Sequence, residues 1–366
     1  MTLVPTPATG SWPKRHNTNL PYALLLVAIL LLAFVLRTPG ALVSALDVDD
    51  GAFLSLAAEM RQGAVLYRDL AEHKPPGIEL FILAVQNLAG DDVVLLRLVY
   101  LAVTTTSCLA VAGLARSVAG RWAGLLAALL ATLHPISMIV AHNLTQLGLA
   151  TTLLAWSALV FLQALERDRS VLWLSAGFLA GAAFAAKQPA GLIAPCYGAV
   201  LAHWVWQGDE AARTRRLRRA LCGASLSVAG ALLAYGPLLA WWAVHGALDD
   251  YLWHVFRANS LTLTAIRENL GPLFLVLAGD VTWLPALFAF FKARSLPASA
   301  QRALLLLATW ALLVAVLLLV YPRFYLHYAL QWLPPLVSLG AIGLVRASGV
   351  GAGLDELLAR IQSELF

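Results

Sequence analysis

Three acids, Asp47, Asp49 and Asp50, open a polar interval in an otherwise apolar chain, and His73 and Lys74 close it just before Pro75 and Pro76. A carboxylate held near cations can take a proton from a hydroxyl while positive charge steadies a departing anion such as a phosphate. Oxygen and imidazole ligands also suit a divalent cation, so Asp49, Asp50 and His73 are metal candidates, although no recognised ligand spacing marks them. Neither a Ser-His-Asp motif nor a Gly-rich phosphate-cradling loop is present. Each residue also has a plainer reading. Asp49 and Asp50 suit the cap of a helix, and Lys74 suits a cation snorkelling at a membrane surface.

The elements that must position these groups are membrane helices. The 366 residues are 60% hydrophobic and 12% charged, against roughly 25% charged in an average soluble domain. The mean hydropathy is +0.77. Backbone groups in lipid pair within helices, which makes the chain an all-α integral membrane protein. Cys108, Cys196 and Cys222 all lie inside apolar runs and read as packing residues, not as a disulfide frame. The arginine run Arg213–Arg219 reads as a topology signal; nucleic acid is not an expected partner.

In chain order, residues 1–19 form a polar cytoplasmic leader ahead of a first apolar run, Leu20 to Leu36. Val43-Ser44-Ala45 resembles a signal-peptidase site, but the run is long for a signal and suits a retained anchor. Residues 37–92 form the first outer loop. Within it Phe53, Leu56, Ala57 and Met60 recur at helical spacing and predict a surface helix over 51–62, stopped by Gly63. Residues 77–89 are too few to span and predict a second surface helix. Further spans are expected near 93–115, 121–141, 146–165, 170–186, 188–207, 220–244, 271–291, 302–321 and 324–345. That register places 14 basic residues inside after the first loop, from Arg116 to Arg360, and five outside, Arg97, Lys187, Arg257, Arg267 and Arg323. Letting 75–90 span would invert those numbers, against the positive-inside rule. The expected domain is a bundle of about ten spans over residues 20–346, both termini cytoplasmic, with a short tail at 347–366. Asp280 falls mid-way through the eighth span, so that span either begins later or turns the acid to a polar cavity. His134-Pro135 reads as a packed kink.

Sorted by side, the polar residues collect outside. The loop acids, His73 and Lys74 are joined there by His142, Asn143 and Gln146, by Lys187 and Gln188, by Asp249, Asp250, His254, Arg257 and Asn259, and by Tyr321, Arg323, Tyr325, His327 and Tyr328. Carboxylates plus cations at headgroup level are what glycosyl transfer from a lipid-linked phosphosugar requires.

Asp49-Asp50-Gly51 after the first span, then Tyr67-Arg68-Asp69 and His73-Lys74-Pro75-Pro76-Gly77, resembles the first outer loop of the GT-C superfamily. The similar branch is the protein O-mannosyltransferase and aminoarabinose transferase group, which depends on polyprenyl-phosphate sugars. Lys187-Gln188-Pro189 and the aromatic stretch from Arg323 to Pro335 are also similar. The resemblance covers roughly residues 20–345 and implies a GT-C-type helical bundle. It implies an inverting transferase with Asp49 as catalytic base and Asp50 in place of the family's second acid, a glutamate. It further implies Lys74 as the lysine after the surface helix, His73 where some members carry an acid, and Lys187 as a cation near the donor phosphate. Arg323 and His327 are expected as further substrate contacts. Two departures stand out. Asn143-Leu144-Thr145-Gln146 occupies a turn where some members carry another acid, and the chain stops soon after Arg346.

The implied partners are a polyprenyl-phosphate sugar, membrane lipids and a lipid, polysaccharide or protein acceptor, at the outer face of the plasma (inner) membrane. No cofactor follows with certainty from these residues, and a divalent cation is an open candidate. The competing expectations are a transporter or lipid flippase, which would favour ionisable groups at mid-membrane and inverted repeats, and an inactive scaffold subunit.

Overall fold

In a computed structural model of the chain, residues 19–43, 48–140, 143–207, 209–257, 265–280, 282–291, 293–321, 325–349 and 353–354 are described. Asp47, His142, Asn259 and Arg323, and most of the tail at 347–366, lie outside them. The apolar runs fold as helices throughout, and one isolated bridge, Leu66 to Leu70, is the sole extended pairing among the described residues.

The first part of the chain builds the site's wall. Helix α1 (Asn19–Ala41) is followed by α2 (Val48–Arg61), α3 (Gly77–Ala89), α4 (Val93–Thr105), α5 (Ser107–Leu133) and the short α6 (Pro135–Val140). Helix α1 runs past Leu36, so Arg37, expected at the start of the loop, lies on its last turns and is buried. The 13 residues of α3 reach about 20 Å at 1.5 Å each, short of the ~30 Å hydrocarbon core. Its Ile78, Ile82 and Val85 are buried with Phe53 and Ala57 of α2 and Leu96 and Tyr100 of α4.

The remainder forms the bundle. Helices α7 (Gln146–Arg167), α8 (Ser170–Ala186), α9 (Ile193–Trp206) and α10 (Glu210–Val244) precede a short α11 (Leu248–Leu252). Then come α12 (Ala265–Gly279), α13 (Trp283–Phe288), α14 (Ala298–Val320) and α15 (Leu333–Ser348), the last entered through a 3₁₀ turn, Leu326–Trp332. The main core lies among α5, α7, α8, α9, α14 and α15.

Among the described residues, six helical stretches are long and apolar enough to cross a membrane: Leu20–Ala41, Val93–Leu133, Gln146–Arg167, Glu210–Val244, Ala298–Val320 and His327–Ser348. The second of these reverses at Ala119-Gly120. Gly120 has φ +79°, and a Cβ on Gly124 would fall 2.8 Å from the Ala112 carbonyl, twelve residues back. Only a hairpin makes that contact. Shorter apolar helices, including α3 and α8, fill the rest. Helix α8 lies against α10 through small residues; a Cβ on Gly181 would stand 2.6 Å from the Ala231 carbonyl, the close approach that membrane helices use for packing. Large apolar side chains such as Leu24, Leu31, Val228 and Leu232 face outward, as lipid contact requires.

The segment expected as one span over 271–291 is broken at Asp280. Its carboxylate accepts from Thr282 N at 2.9 Å and Thr282 Oγ1 at 2.5 Å and pairs with His134 Nε2 at 3.0 Å. His134 sits at its own helix break, between α5 and α6. The kink residue and the misplaced acid are thus one buried pair. Two helix ends supply free backbone groups there, and the pair with Thr282 meets them.

Candidate active site

At one end of the bundle a cavity of about 370 Å³ gathers five of the seven expected residues: Asp49, His73, Lys74, Lys187 and His327. Phe53 of α2, Asn143, Thr145, Gln146 and Leu147 at the start of α7, and Tyr325 and Tyr328 complete the wall. Asp49 stands exposed in the first turn of α2, where the helix dipole favours a carboxylate.

Asp50, the next residue, does not line this cavity. Successive helical positions point about 100° apart, and its carboxylate is fully buried on the other side. It accepts from Arg97 Nη2 at 2.7 Å, Arg97 Nε at 3.2 Å and Leu144 N at 2.8 Å. The expected substrate contact is therefore a brace, tying α2 to α4 and to the turn before α7. Arg97, counted above among the basic residues outside, is its buried partner, 3% exposed. The same turn of the chain separates the metal candidates: Asp49, Asp50 and His73 do not converge, and among the described residues no three His, Cys, Asp or Glu side chains gather as a metal site.

The loop before α3 is held by its own sequence. Asp69 closes a tight turn by accepting from Val65 N at 2.8 Å while pairing with Arg68. Tyr67, with φ +74°, sets its ring edge-on against the stacked pair Trp242 and Tyr251, and its hydroxyl donates to the Lys74 carbonyl at 2.7 Å. Glu72 is buried; its Oε1 accepts from His73 N at 2.7 Å and Lys74 N at 3.0 Å and lies 3.2 Å from His73 Nδ1. Glu72 is thus the missed residue of the site, fixing the backbone of both residues that follow it and the ring of His73. Lys74 Nζ then lies 4.9 Å from the centre of the Phe53 ring, a cation–π contact that aims it at the cavity.

Lys187 arrives from the opposite wall. It ends α8, and the start of α3 presses on that end so closely that a Cβ on Gly77 would fall 2.5 Å from Ala186 Cα. Gln188 ties the two walls together by donating to His73 O at 3.3 Å and Val255 O at 3.1 Å. Lys187 is 5% exposed, with Nζ 5.8 Å from the centre of the Tyr328 ring. Burial pushes its pKa down to about 8, helped by the charge of Lys74 and opposed by Glu72, Asp49 and Glu79. Burial also lowers His73, against the pull of Glu72 and with the push of Lys74 and Lys187. Glu79, one turn into α3, is fully buried with both carboxyl oxygens unpaired, and burial raises its pKa to about 8. From the last wall, His327 stacks on Tyr325 with ring centres 5.6 Å apart.

Of the other outer-face candidates, Asn143 and Gln146 reach the cavity, so the turn where a further acid stands in some GT-C members contributes amides here. Asp249 and Asp250 are exposed on α11, away from it, and that segment serves through Tyr251, which packs on Tyr67.

One exposed carboxylate shares a polar cavity with two lysines and two histidines beside a helical bundle. That describes a multi-pass integral membrane protein with a site suited to an anionic substrate. The family model described as dolichyl-phosphate-mannose-protein mannosyltransferase matches residues 73–244, from His73 through the end of α10. Among solved structures, that of ArnT from Cupriavidus metallidurans in the apo state superposes with a TM-score of 0.68 at 19% identity, covering 95% of this chain and 64% of that one. The same protein bound to undecaprenyl phosphate gives 0.67 at 19% identity, covering 90% and 61%. The apo oligosaccharyltransferase of Archaeoglobus fulgidus gives 0.57 at 15% identity, covering 94% and 53%. At such identities the likeness is one of fold, and the chain spans less than two thirds of the length of these proteins. No curated protein matches by sequence. The chain is thus similar to the dolichyl-phosphate-mannose-protein mannosyltransferase family over residues 73–244, and to ArnT in fold over nearly its whole length.

Proposed function

We propose that the chain transfers a sugar, with inversion, from a polyprenyl phosphate to an acceptor hydroxyl on the non-cytoplasmic face of the plasma membrane. The observation that carries this reading is the single cavity shared by Asp49, Lys74 and Lys187. In the proposed step the Asp49 carboxylate takes the acceptor's proton as its oxygen attacks the anomeric carbon. The bond from that carbon to the phosphate oxygen breaks, and the electron pair leaves with the phosphate. Lys74 and Lys187 balance the negative charge that builds there, and Arg323, in the stretch similar to the family's aromatic segment, is proposed as a further contact. His73, oriented by Glu72, and His327 hold the sugar or the acceptor. The undecaprenyl phosphate bound to ArnT of the same fold supports a polyprenyl phosphate as the donor's carrier. Lipid, polysaccharide and protein acceptors all offer the required hydroxyl.

The proposed topology has ten crossings with both termini in the cytoplasm. The hairpin at Gly120, the α12–α13 break and the short helices α8 and α9 supply the crossings beyond the six long stretches. The transporter or flippase reading rests on one observation, the buried His134–Asp280 pair inside the bundle, since intramembrane ionisable groups mark transport pathways.

Mass spectrometry of envelope lipids and glycans tests the proposal, in a strain lacking the chain and complemented with wild type or Asp49→Asn. A species lighter by one sugar in the deletion and in the variant supports transfer and names the sugar. Full rescue by Asp49→Asn rejects Asp49 as base, and identical profiles with and without the chain reject the transferase reading.

A further inference from the structure

Beneath the floor of the active-site cavity lies a second, smaller one of about 40 Å³, walled by α1, α4, α5, α7 and α15. Its floor-side link is Tyr100, whose hydroxyl donates to Thr145 O at 2.8 Å. The group that sets its character is Arg37, 6% exposed. Nη2 donates to the carbonyls of Ala131 and Thr132 at 3.0 and 3.4 Å and to Ser137 Oγ at 2.9 Å. All three acceptors are neutral. The Cys108 side chain lies beside Arg37, and no carboxylate pairs with Arg37 among the described residues. Nε of Arg37 and the hydroxyl of Thr151 are buried without partners, and both residues line this cavity. Gly148, in the first turn of α7, lines it too and brings the positive end of a 22-residue helix dipole.

We propose that this cavity is a binding site for a small monovalent inorganic anion, chloride in the cell, held by Arg37 and Thr151. A guanidinium sealed among neutral groups inside a membrane bundle is expensive, and an anion beside it removes most of that expense. The cavity holds about three water-sized occupants, enough for one halide and a companion water. Sulfate and gluconate are too bulky. Bound there, the ion would tie the end of α1 to the beginning of α7 and so steady the turn that carries Thr145 and Gln146 to the active site. The site stands apart from the transfer chemistry and does not depend on it.

The test is the unfolding midpoint of the purified full chain in detergent, with chloride replaced by gluconate at constant ionic strength. A saturable rise with chloride, matched by bromide, is expected of a ligand that binds the folded state. Thr151→Val, which removes one donor and keeps the shape, should shift the chloride dependence to higher concentration. Arg37→Met should abolish it. In crystals grown with bromide, an anomalous peak should stand beside the Arg37 guanidinium. A wild-type midpoint indifferent to halide, or a bromide peak absent from this cavity, overturns the proposal. So does halide independence accompanied by a lowered midpoint in Cys108→Ala, which would assign the counter-charge to the thiolate.

Discussion

Replacing Asp50 by Asn separates scaffold from chemistry within two adjacent acids. The Asp50 carboxylate is fully buried and takes two bonds from Arg97 and one from Leu144 N, and Arg97 is 3% exposed. Asparagine keeps an oxygen for Leu144 N but removes the charge facing the guanidinium and turns an amide toward it. Removing one partner of such a buried pair costs about 3–5 kcal/mol. Several degrees are therefore expected off the unfolding midpoint in detergent, while turnover per folded molecule stays within about threefold of wild type. Adding Arg97→Met should recover much of the lost stability, because a neutral, well-packed pair no longer buries a charge. The opposite pattern would refute the reasoning: an unchanged midpoint with turnover lost by orders of magnitude would put Asp50 in the chemistry beside Asp49.

Three further outcomes follow from groups around the cavity. Lys187→Gln should lower kcat/KM for the lipid-linked donor by about 10²–10³-fold, as the loss of one preorganised donor to a leaving oxyanion does. Because burial holds the Lys187 pKa at about 8, the lysine carries its charge below that pH and sheds it above. Donor affinity should fall as pH rises through that value, and Lys187→Arg, which stays charged, should remove the fall; a pH series of KM decides. Glu79 keeps its proton in the folded chain up to about pH 8, whereas the unfolded chain releases it in the ordinary glutamate range. Stability should decline with rising pH across that window, and Glu79→Gln should flatten the slope measured by denaturation at successive pH values.

The site was legible where residue type alone carries the meaning. In a chain this apolar, Asp49, Lys74 and Lys187 have few places to go, and side assignment by the arginine balance brought them to one face. Direction was not legible. Asp49 and Asp50 look alike in one dimension, and only the turn of α2 sends one to the cavity and the other to Arg97. Glu72 was passed over because its service is local, to the backbone of the two residues after it. His134 and Asp280 were each noticed alone, as a kink and a misfit; 146 residues apart, they are one contact that only the folded bundle brings together. Arg37 was taken for the start of a loop because the apolar run ends at Leu36, but α1 continues to Ala41 and turns the guanidinium inward.

The cavity draws its walls from residues 49–74, 143–147, 187 and 325–328, so its two ends meet across almost the whole chain. During synthesis the early segments leave the ribosome first, and Asp49, His73 and Lys74 must wait in place until Tyr325, His327 and Tyr328 follow. Throughout that interval the loop is held by the Tyr67 turn, Glu72 and the Asp50–Arg97 brace, all made from residues before Val99 and needing nothing later except α10 and α11 for the Tyr67 ring and the turn at Leu144. A nascent chain halted before α14 would thus carry a nearly finished loop and no closed cavity, which delays any competence for reaction until insertion is essentially complete.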